Sequence, residues 1–255
     1  MSARAAYDRF AEHYDAYIAG VDFAGWTANL EALARRAGLR GRRLLDVACG
    51  TGGSFVPFLE RGWTVTACDI SPRMAAIAAE KAAGRAEIHV CDMREMPRLG
   101  EFDLATCLND SLNYVGEPEE LAAAIRGIAL NLAPGGVLVA DVNSLATLRS
   151  VFGGLNVLAG DDRVMVWRGT EAAREATAGE LVRAELEILL RGDGGWTTTT
   201  SLHVQRHHDE PAIRRAIAAA GLRLAGVHGM PPGIAVHDDF DELRDAKAVY
   251  VAVKF

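Results

Sequence analysis

The sequence predicts an α/β fold: a doubly wound, mostly parallel sheet with an antiparallel last strand pair and an inserted antiparallel β lid. Three observations carry this. Leu44-Leu45-Asp46-Val47-Ala48 is a mostly apolar run, as a strand buried on both faces requires, and Gly50, Gly52 and Gly53 follow where such a strand turns into a helix. Apolar strand runs then alternate with helical stretches as far as residue 142, the pattern of a parallel sheet. From residue 151 that alternation gives way to strand-like stretches separated by glycine-rich turns.

The elements follow in order. Residues 7–18 carry aromatic side chains at 7, 10, 14 and 17, a spacing of three and four that makes a helix with an aromatic stripe docked on the core. A second helix covers 26–37, and residues 38–41 lead to the first strand. At the glycine turn the missing Cβ atoms bare the main-chain N–H groups, and a helix over 54–61 points its positive end into the same gap. The next strand, 64–68, ends at Asp69, a place for a carboxylate that suits a ribose hydroxyl pair. Ser71 and Pro72 form an N-cap and first helical position, and the alanine-rich helix that follows stops at Gly84. A third strand, 88–91, runs into Asp92-Met93, and a fourth, 102–108, runs into Asn109-Asp110-Ser111-Leu112-Asn113-Tyr114. Ligands of doubly wound sheets lie outside strand ends where the strand order reverses, so this polar stretch faces the ligand. A helix over 117–131 is stopped by Pro134, Gly135 and Gly136 before the fifth strand, 137–142. Lid strands are expected at 164–168, 181–190 and 196–205, with a hairpin at 191–195. A last helix, 210–220, stops at Gly221, and strands 222–227 and 247–255 close the sheet as an antiparallel pair. The loop 228–245, with Pro231, Pro232 and five acids, is expected to be mobile and to border the pocket.

Composition narrows the partners. At 255 residues the chain fits one domain with an inserted lobe, and its net charge of −7 without a basic run gives a phosphate backbone little encouragement. Nucleic acid is therefore disfavoured. No signal-like leader and no long apolar window are present, so neither export nor a membrane span is expected and the protein reads as cytoplasmic. Cys49, Cys68, Cys91 and Cys107 lack Cys-x-x-Cys spacing and read as small residues at strand ends, with no metal site. His203, His207 and His208 beside Asp209 invite a metal reading, but strand alternation splits the first pair from their neighbour. Solvent exposure or sheet packing accounts for them, with a pocket-facing His203 as the alternative. Glu185 and Glu187 share a solvated strand face.

Leu44-Leu-Asp-Val-Ala-Cys-Gly-Thr-Gly52, then Cys68-Asp-Ile-Ser-Pro-Arg-Met74, resembles the first two motifs of class I S-adenosylmethionine-dependent methyltransferases. A nicotinamide site would instead want glycine where Phe55 stands and has no need of Asp46. Tyr-Asp-x-x-Ala-x-x-Tyr-Asp from Tyr7 resembles the N-terminal cap of many small-molecule members. Leu108-Asn-Asp-Ser-Leu-Asn-Tyr-Val115 resembles the branch that includes sugar N-methyltransferases of antibiotic biosynthesis and related bacterial proteins. It departs from the Asn-Pro-Pro-Tyr signature of enzymes that methylate nucleobase or glutamine nitrogens. The resemblance implies a single Rossmann-like methyltransferase domain, with a helical cap over 1–40, a cofactor core over 41–150 and 207–255 completing the sheet; the lid over 151–206, read from the strand pattern, is poorly matched by it.

It also implies S-adenosylmethionine as cofactor and S-adenosylhomocysteine as product. Asp46, Ala48, Gly50 and Gly52 then hold the methionine portion, Asp69 the ribose, Ile70, Asp92 and Met93 the adenine, with Met74 beside them. Leu108 and Asn109 form the wall facing the methyl group, and Tyr14 closes over the methionine end. Tyr7, Tyr17, Asn113, Tyr114 and His203 are the candidate substrate contacts; Asn109, Tyr14 and His203 are the candidate catalytic group. On the residues alone, other readings stay open: plain packing for the aromatic stripe, a loop cap for Asp92, turn chemistry for 109–114, and sheet extension or pairing in a homodimer for the lid strands.

Methyl transfer from a sulfonium is an in-line displacement in which the acceptor lone pair stands roughly 3 Å from the methyl carbon, so positioning is most of the work. An amine must arrive neutral, and no general base is obligatory. The expected activity is transfer to a small molecule, nitrogen favoured slightly over oxygen. The competing readings are a non-catalytic cofactor-binding or regulatory protein, and a methyltransferase of protein or RNA, which the acidic charge and the lid oppose.

Overall fold

The computed structural model describes residues 2–255. Its first half holds β1 (Arg43–Val47), β2 (Thr64–Asp69), β3 (Ala86–Val90), β4 (Phe102–Cys107) and β5 (Leu132–Asn143). Between β5 and the C-terminal unit lie β6 (Leu155–Ala159), β7 (Arg163–Gly169), β8 (Leu181–Gly192) and β9 (Gly195–Arg206), and the chain closes with β10 (Leu222–Met230) and β11 (Lys247–Lys254). The helices are α1 (Ala3–Tyr17), α2 (Phe23–Arg36), α3 (Val56–Glu60), α4 (Pro72–Ala82), α5 (Pro118–Leu130), α6 (Leu145–Val151) and α7 (Glu210–Ala219).

Seven strands form one sheet in the order β10-β11-β5-β4-β1-β2-β3. The strands β1 to β5 are parallel, and β11 is antiparallel to both β5 and β10. The winding reverses between β4 and β1, which opens a crevice beyond their C-terminal ends. Both faces are covered, as a parallel sheet requires. One face buries Leu121, Ile125 and Ile128 of α5 with Ile213 and Ile217 of α7, and the other buries Trp26 and Leu30 of α2, Phe58 of α3 and Ala78 of α4.

The remaining strands form a separate four-stranded antiparallel sheet in the order β6-β7-β8-β9, with β8 and β9 joined by the tight turn at Asp193-Gly194. Helix α1 lies between this sheet and the glycine turn. Its aromatic stripe docks on the second sheet rather than on the central core: Phe10 is buried with Leu148, Phe152, Trp167 and Leu186. Burying one phenylalanine side chain contributes about 2–3 kcal/mol. The other edge of the helix is tied to the central domain, because Thr51 Oγ1 donates to Asp15 at 2.5 Å, Lys81 Nζ reaches the same carboxylate at 2.6 Å, and Ser71 Oγ donates to Asp8 at 2.5 Å.

Several expectations need correction. The helix after the glycine turn is a five-residue one, Val56–Glu60, because Gly52 and Gly53 and the residues after them form a turn and Phe55 serves as its N-cap without a side-chain hydrogen bond. The fifth strand starts at Leu132, so Pro134, Gly135 and Gly136 lie in a strand whose register against β4 shifts between Phe102 and Leu104. Helix α6 and strand β6 were not expected. Ser144, whose side chain accepts from Thr147 N, caps the helix, whereas β6 is an exposed edge strand without alternation. The loop 228–245 is tied down, not free: Gly229 and His237 exchange backbone hydrogen bonds, Asp245 accepts from His237 and from Asp241 N, and Asn29 of α2 donates to Ile234 O. It does not reach the crevice wall. Of the two accounts given for the histidine trio, packing holds and solvent exposure does not: His203, His207 and His208 are each under 5% accessible.

Candidate active site

A cavity of about 310 Å³ opens at the reversal point, beyond the ends of β1, β2 and β4 and under α1 and α2. Its floor is the turn after β1. Ala48 and Gly50 both have positive φ, 56° and 54°, a conformation that costs a residue with Cβ and that glycine tolerates. Gly50 N donates to Asp69 Oδ2 at 2.9 Å, and Ser71 N donates to Oδ1 at 2.8 Å. Each Asp69 oxygen keeps a lone pair for a further donor. Burial pushes the Asp69 carboxyl up to about 6 despite these backbone donors.

Asp46 acts differently. Its carboxylate is turned into the fold, off the cavity lining: Ser54 Oγ donates to it at 2.5 Å and Thr106 Oγ1 at 2.7 Å, and burial raises its pKa to about 6. It stays off the cavity wall and fixes the glycine turn to β4. Gly52 is also off the wall. At φ +92° it leaves room for the Phe55 ring, which a Cβ would meet at 2.8 Å. Met74 is fully buried in α4, also away from the wall.

Ile70, Cys91, Asp92 and Met93 line the far end of the cavity. Arg94 grips Asp92 with both forks, Nε to Oδ1 at 2.9 Å and an Nη to Oδ2 at 2.6 Å, and these hydrogen bonds hold the carboxyl below the usual range. Asp92 also N-caps the 3-10 turn Met93–Glu95. Among the described residues the buried indole N–H of Trp26 in α2 finds no partner, and other atoms of Trp26 line the cavity. An orphaned donor of this kind is costly to the fold. Sequence reading missed Trp26, since nothing in 26–37 distinguishes it from a core residue.

The near end is aromatic and polar. Tyr14 of α1 stands over Gly50, and its hydroxyl accepts from Asn109 Nδ2 at 2.9 Å, which leaves the phenol O–H free to donate. Tyr7, Tyr14, Leu108, Asn109, Ser111 and Tyr114 complete this wall. Tyr7 packs edge-on against Tyr14 and Tyr114, with centroids 6.1 and 5.2 Å apart. Burial raises the pKa of Tyr7, Tyr14 and Tyr114, and the charge of nearby Asp110 adds to it in each case. All three are neutral phenols at physiological pH.

Asn109 and Asp110 are consecutive left-handed residues, φ 59° and 56°. Asp141, fully buried on β5, pins them: its carboxylate accepts Asn109 N at 2.8 Å and Asp110 N at 2.7 Å. Lys247 on β11 lies between the two acids, 2.6 Å from Asp110 and 2.9 Å from Asp141. Burial opposes the lysine charge, and the two carboxylates more than offset it, so its pKa is raised. Asp141, in the apolar run Val137 to Val142, was a visible signal; Lys247, a hundred residues on, was not.

Other sequence candidates lie behind the wall. His203 sits among Tyr7, Phe10, Tyr114 and Trp167, with Nδ1 2.9 Å from the Tyr114 hydroxyl and Nε2 3.1 Å from Ser201 Oγ. Its neighbours Leu202 and Val204 take the wall positions, because side chains alternate along β9. Burial lowers its pKa to about 4, so the ring is neutral. Asn113 is consumed by the fold, donating to Arg206 O and accepting from Asn143 N. Tyr17 stacks on Trp167 away from the cavity. No cluster of three potential metal ligands occurs among the described residues, and no helix among them is long and apolar enough to cross a membrane.

A crevice at the strand-order reversal, with a glycine turn, an acid at the tip of β2, a second acid past β3 and an aromatic wall, is the kind of site at which doubly wound α/β proteins bind ligands. Comparison with known proteins gives the family. A methyltransferase domain model matches residues 44–136. The dTDP-3-amino-3,6-dideoxy-alpha-D-glucopyranose N,N-dimethyltransferase of Streptomyces fradiae is 32% identical over 218 residues, 84% of this chain and 83% of that protein. The cypemycin N-terminal methyltransferase of a Streptomyces species is 30% identical over 91% of this chain and 93% of its own. An amino pentose methyltransferase from Micromonospora echinaspora, solved with S-adenosylmethionine bound, superposes with a TM-score of 0.74 at 27% identity, covering 95% of this chain and 96% of the other. The chain belongs to the S-adenosylmethionine-dependent methyltransferases, and S-adenosylmethionine is its cofactor.

Proposed function

We propose that this enzyme methylates the amine nitrogen of a small molecule, with an amino sugar as the acceptor class its wall suits best. The observation that carries this is the charge at the acceptor side. Two carboxylates, Asp110 and Asp141, share the single ammonium of Lys247, which leaves one surplus negative charge behind the wall of tyrosines. That charge and the π faces of Tyr7, Tyr14 and Tyr114 favour the positive charge that a neutral amine nitrogen gains as it takes the methyl group, and their hydroxyls can accept from the N–H of the amine that arrives uncharged. The names of two relatives concern nitrogen as well, a dTDP-amino sugar N,N-dimethyltransferase and a cypemycin N-terminal methyltransferase.

S-adenosylmethionine supplies the electrophilic methyl group when bound. Asp69 has the free lone pairs to take a ribose hydroxyl pair, Ile70, Asp92 and Met93 form the adenine end, and the glycine turn meets the methionine end. Asn109 and Tyr14 bound the space next to the methyl. The antiparallel sheet over 151–206 serves as a lid that excludes water and limits acceptor size. The test is S-adenosylhomocysteine release, read by mass spectrometry, from a panel of nucleotide-linked amino sugars, their hydroxyl counterparts and short peptides. Turnover of amino sugars but not of hydroxyl counterparts is the expected result. Turnover confined to hydroxyl compounds or to peptides refutes the assignment.

A further inference from the structure

We infer that Gln205 on lid strand β9 is a positioning residue for methyl transfer, acting through Asp110 to set the acceptor wall when the lid is seated. Gln205 is buried and reaches in two directions. Its Nε2 donates to Asp110 Oδ2 at 2.6 Å, and its Oε1 accepts from Asn143 Nδ2 at 2.9 Å. Asp110 takes Lys247 on its other oxygen, and its own backbone N–H, like that of Asn109, is held by Asp141. Asn109 in turn fixes the Tyr14 hydroxyl. One continuous run of hydrogen bonds therefore joins the lid, the left-handed pair after β4, the last strand and the capping helix.

Asn and Asp tolerate the left-handed conformation better than other residues with Cβ, but as single residues, so two in succession do not hold themselves. The surrounding structure over-determines them, and Gln205 is the lid's share of that restraint. His203, two residues earlier on the same face of β9, meets Tyr114 at the other end of the same loop. The lid thus grips both ends of the 109–114 segment, by Gln205 and by His203, without lining the cavity at either position. Loss of the Gln205 contact frees the Asp110 end, and the Asn109 amide loses its aim at Tyr14. The cofactor floor, built from β1 and β2, is untouched.

The role in turnover rests on the acceptor lying against the 109–114 wall, whereas the restraint itself can be read without any acceptor. Gln205→Met keeps the side-chain length and removes both hydrogen bonds. With S-adenosylmethionine bound, hydrogen exchange at the amides of Asn109 and Asp110 is expected to speed up by about tenfold, the loss of one hydrogen bond to a charged group. Calorimetric affinity for S-adenosylmethionine should stay at the wild-type level. With the best amine from the acceptor panel, kcat should fall about tenfold while KM changes less. Gln205→Glu sets two carboxylates against each other and should show both defects more strongly. Adding Asp110→Asn to it exchanges donor and acceptor across the contact and should restore exchange protection and most of kcat, which a general loss of packing would not allow. Unchanged exchange at Asn109 and Asp110 in Gln205→Met overturns the restraint. Should Gln205→Met not fold, failure of Asp110→Asn to rescue Gln205→Glu does the same. Altered exchange with wild-type kcat overturns the positioning role and leaves the amine assignment standing.

Discussion

Residues that look alike in the sequence do unlike work. Asp46 and Asp69 lie at or near the ends of neighbouring parallel strands, yet Asp46 is turned into the fold against Ser54 and Thr106 while Asp69 lines the cavity. Asp69→Ala should weaken S-adenosylmethionine binding by about 2 kcal/mol, measured by calorimetry, because a charged acceptor of two hydroxyls is lost. Its raised pKa of about 6 adds a pH signature. Ribose donors favour the carboxylate, so affinity should fall as pH drops through about 6, and Asp69→Asn should flatten that profile. For Asp46 the sign concerns stability. Its folded pKa of about 6 lies above the ordinary carboxyl range, so its proton stabilises the fold at low pH and that contribution is lost as pH rises through about 6. Asp46→Asn should therefore lose less stability than wild type between about pH 4 and 6 in urea titrations.

At the scale of elements, the glycine turn and α1 work as a pair. Phe55 fills the space that Gly52 leaves open and is fully buried. Phe55→Ala should cost about 3–5 kcal/mol in denaturant unfolding, with weakened cofactor binding as the turn loosens. Tyr14→Phe keeps the ring over Gly50 but removes the acceptor of the Asn109 amide. Cofactor affinity should survive that change, and kcat should fall, which steady-state kinetics with the chosen amine would show. Helix α1 was legible as a helix from its aromatic spacing, but not its destination. The stripe meets Trp167 and Phe152, more than a hundred residues away, and nothing local says which apolar surface will be there.

Over the whole molecule, the cavity proposed for the cofactor draws on α1, α2 and the ends of β1, β2 and β4, so occupancy should couple these parts. At a hundredfold excess over Kd, S-adenosylmethionine should add about 2.7 kcal/mol to stability and raise Tm by roughly 5–10 °C, read in a thermal melt. The Asp69→Ala variant should show less of this rise at the same concentration.

The sequence by itself determined the parallel sheet, its glycine turn, the acid at the tip of β2 and the polar segment after β4. These are local signals: an apolar run, a missing Cβ, a turn residue or an N-cap acts within a few positions of chain. Only the tertiary structure decided which side chains face the ligand. It sent His203 and Asn113 behind the wall, brought Lys247 between Asp110 and Asp141, set Gln205 of β9 against the loop 109–114, and left the Trp26 N–H without a partner among the described residues. Burial and pairing are properties of the assembled molecule. A charge or a donor acquires its role from partners distant in the chain, and spacing along the sequence carries no record of them.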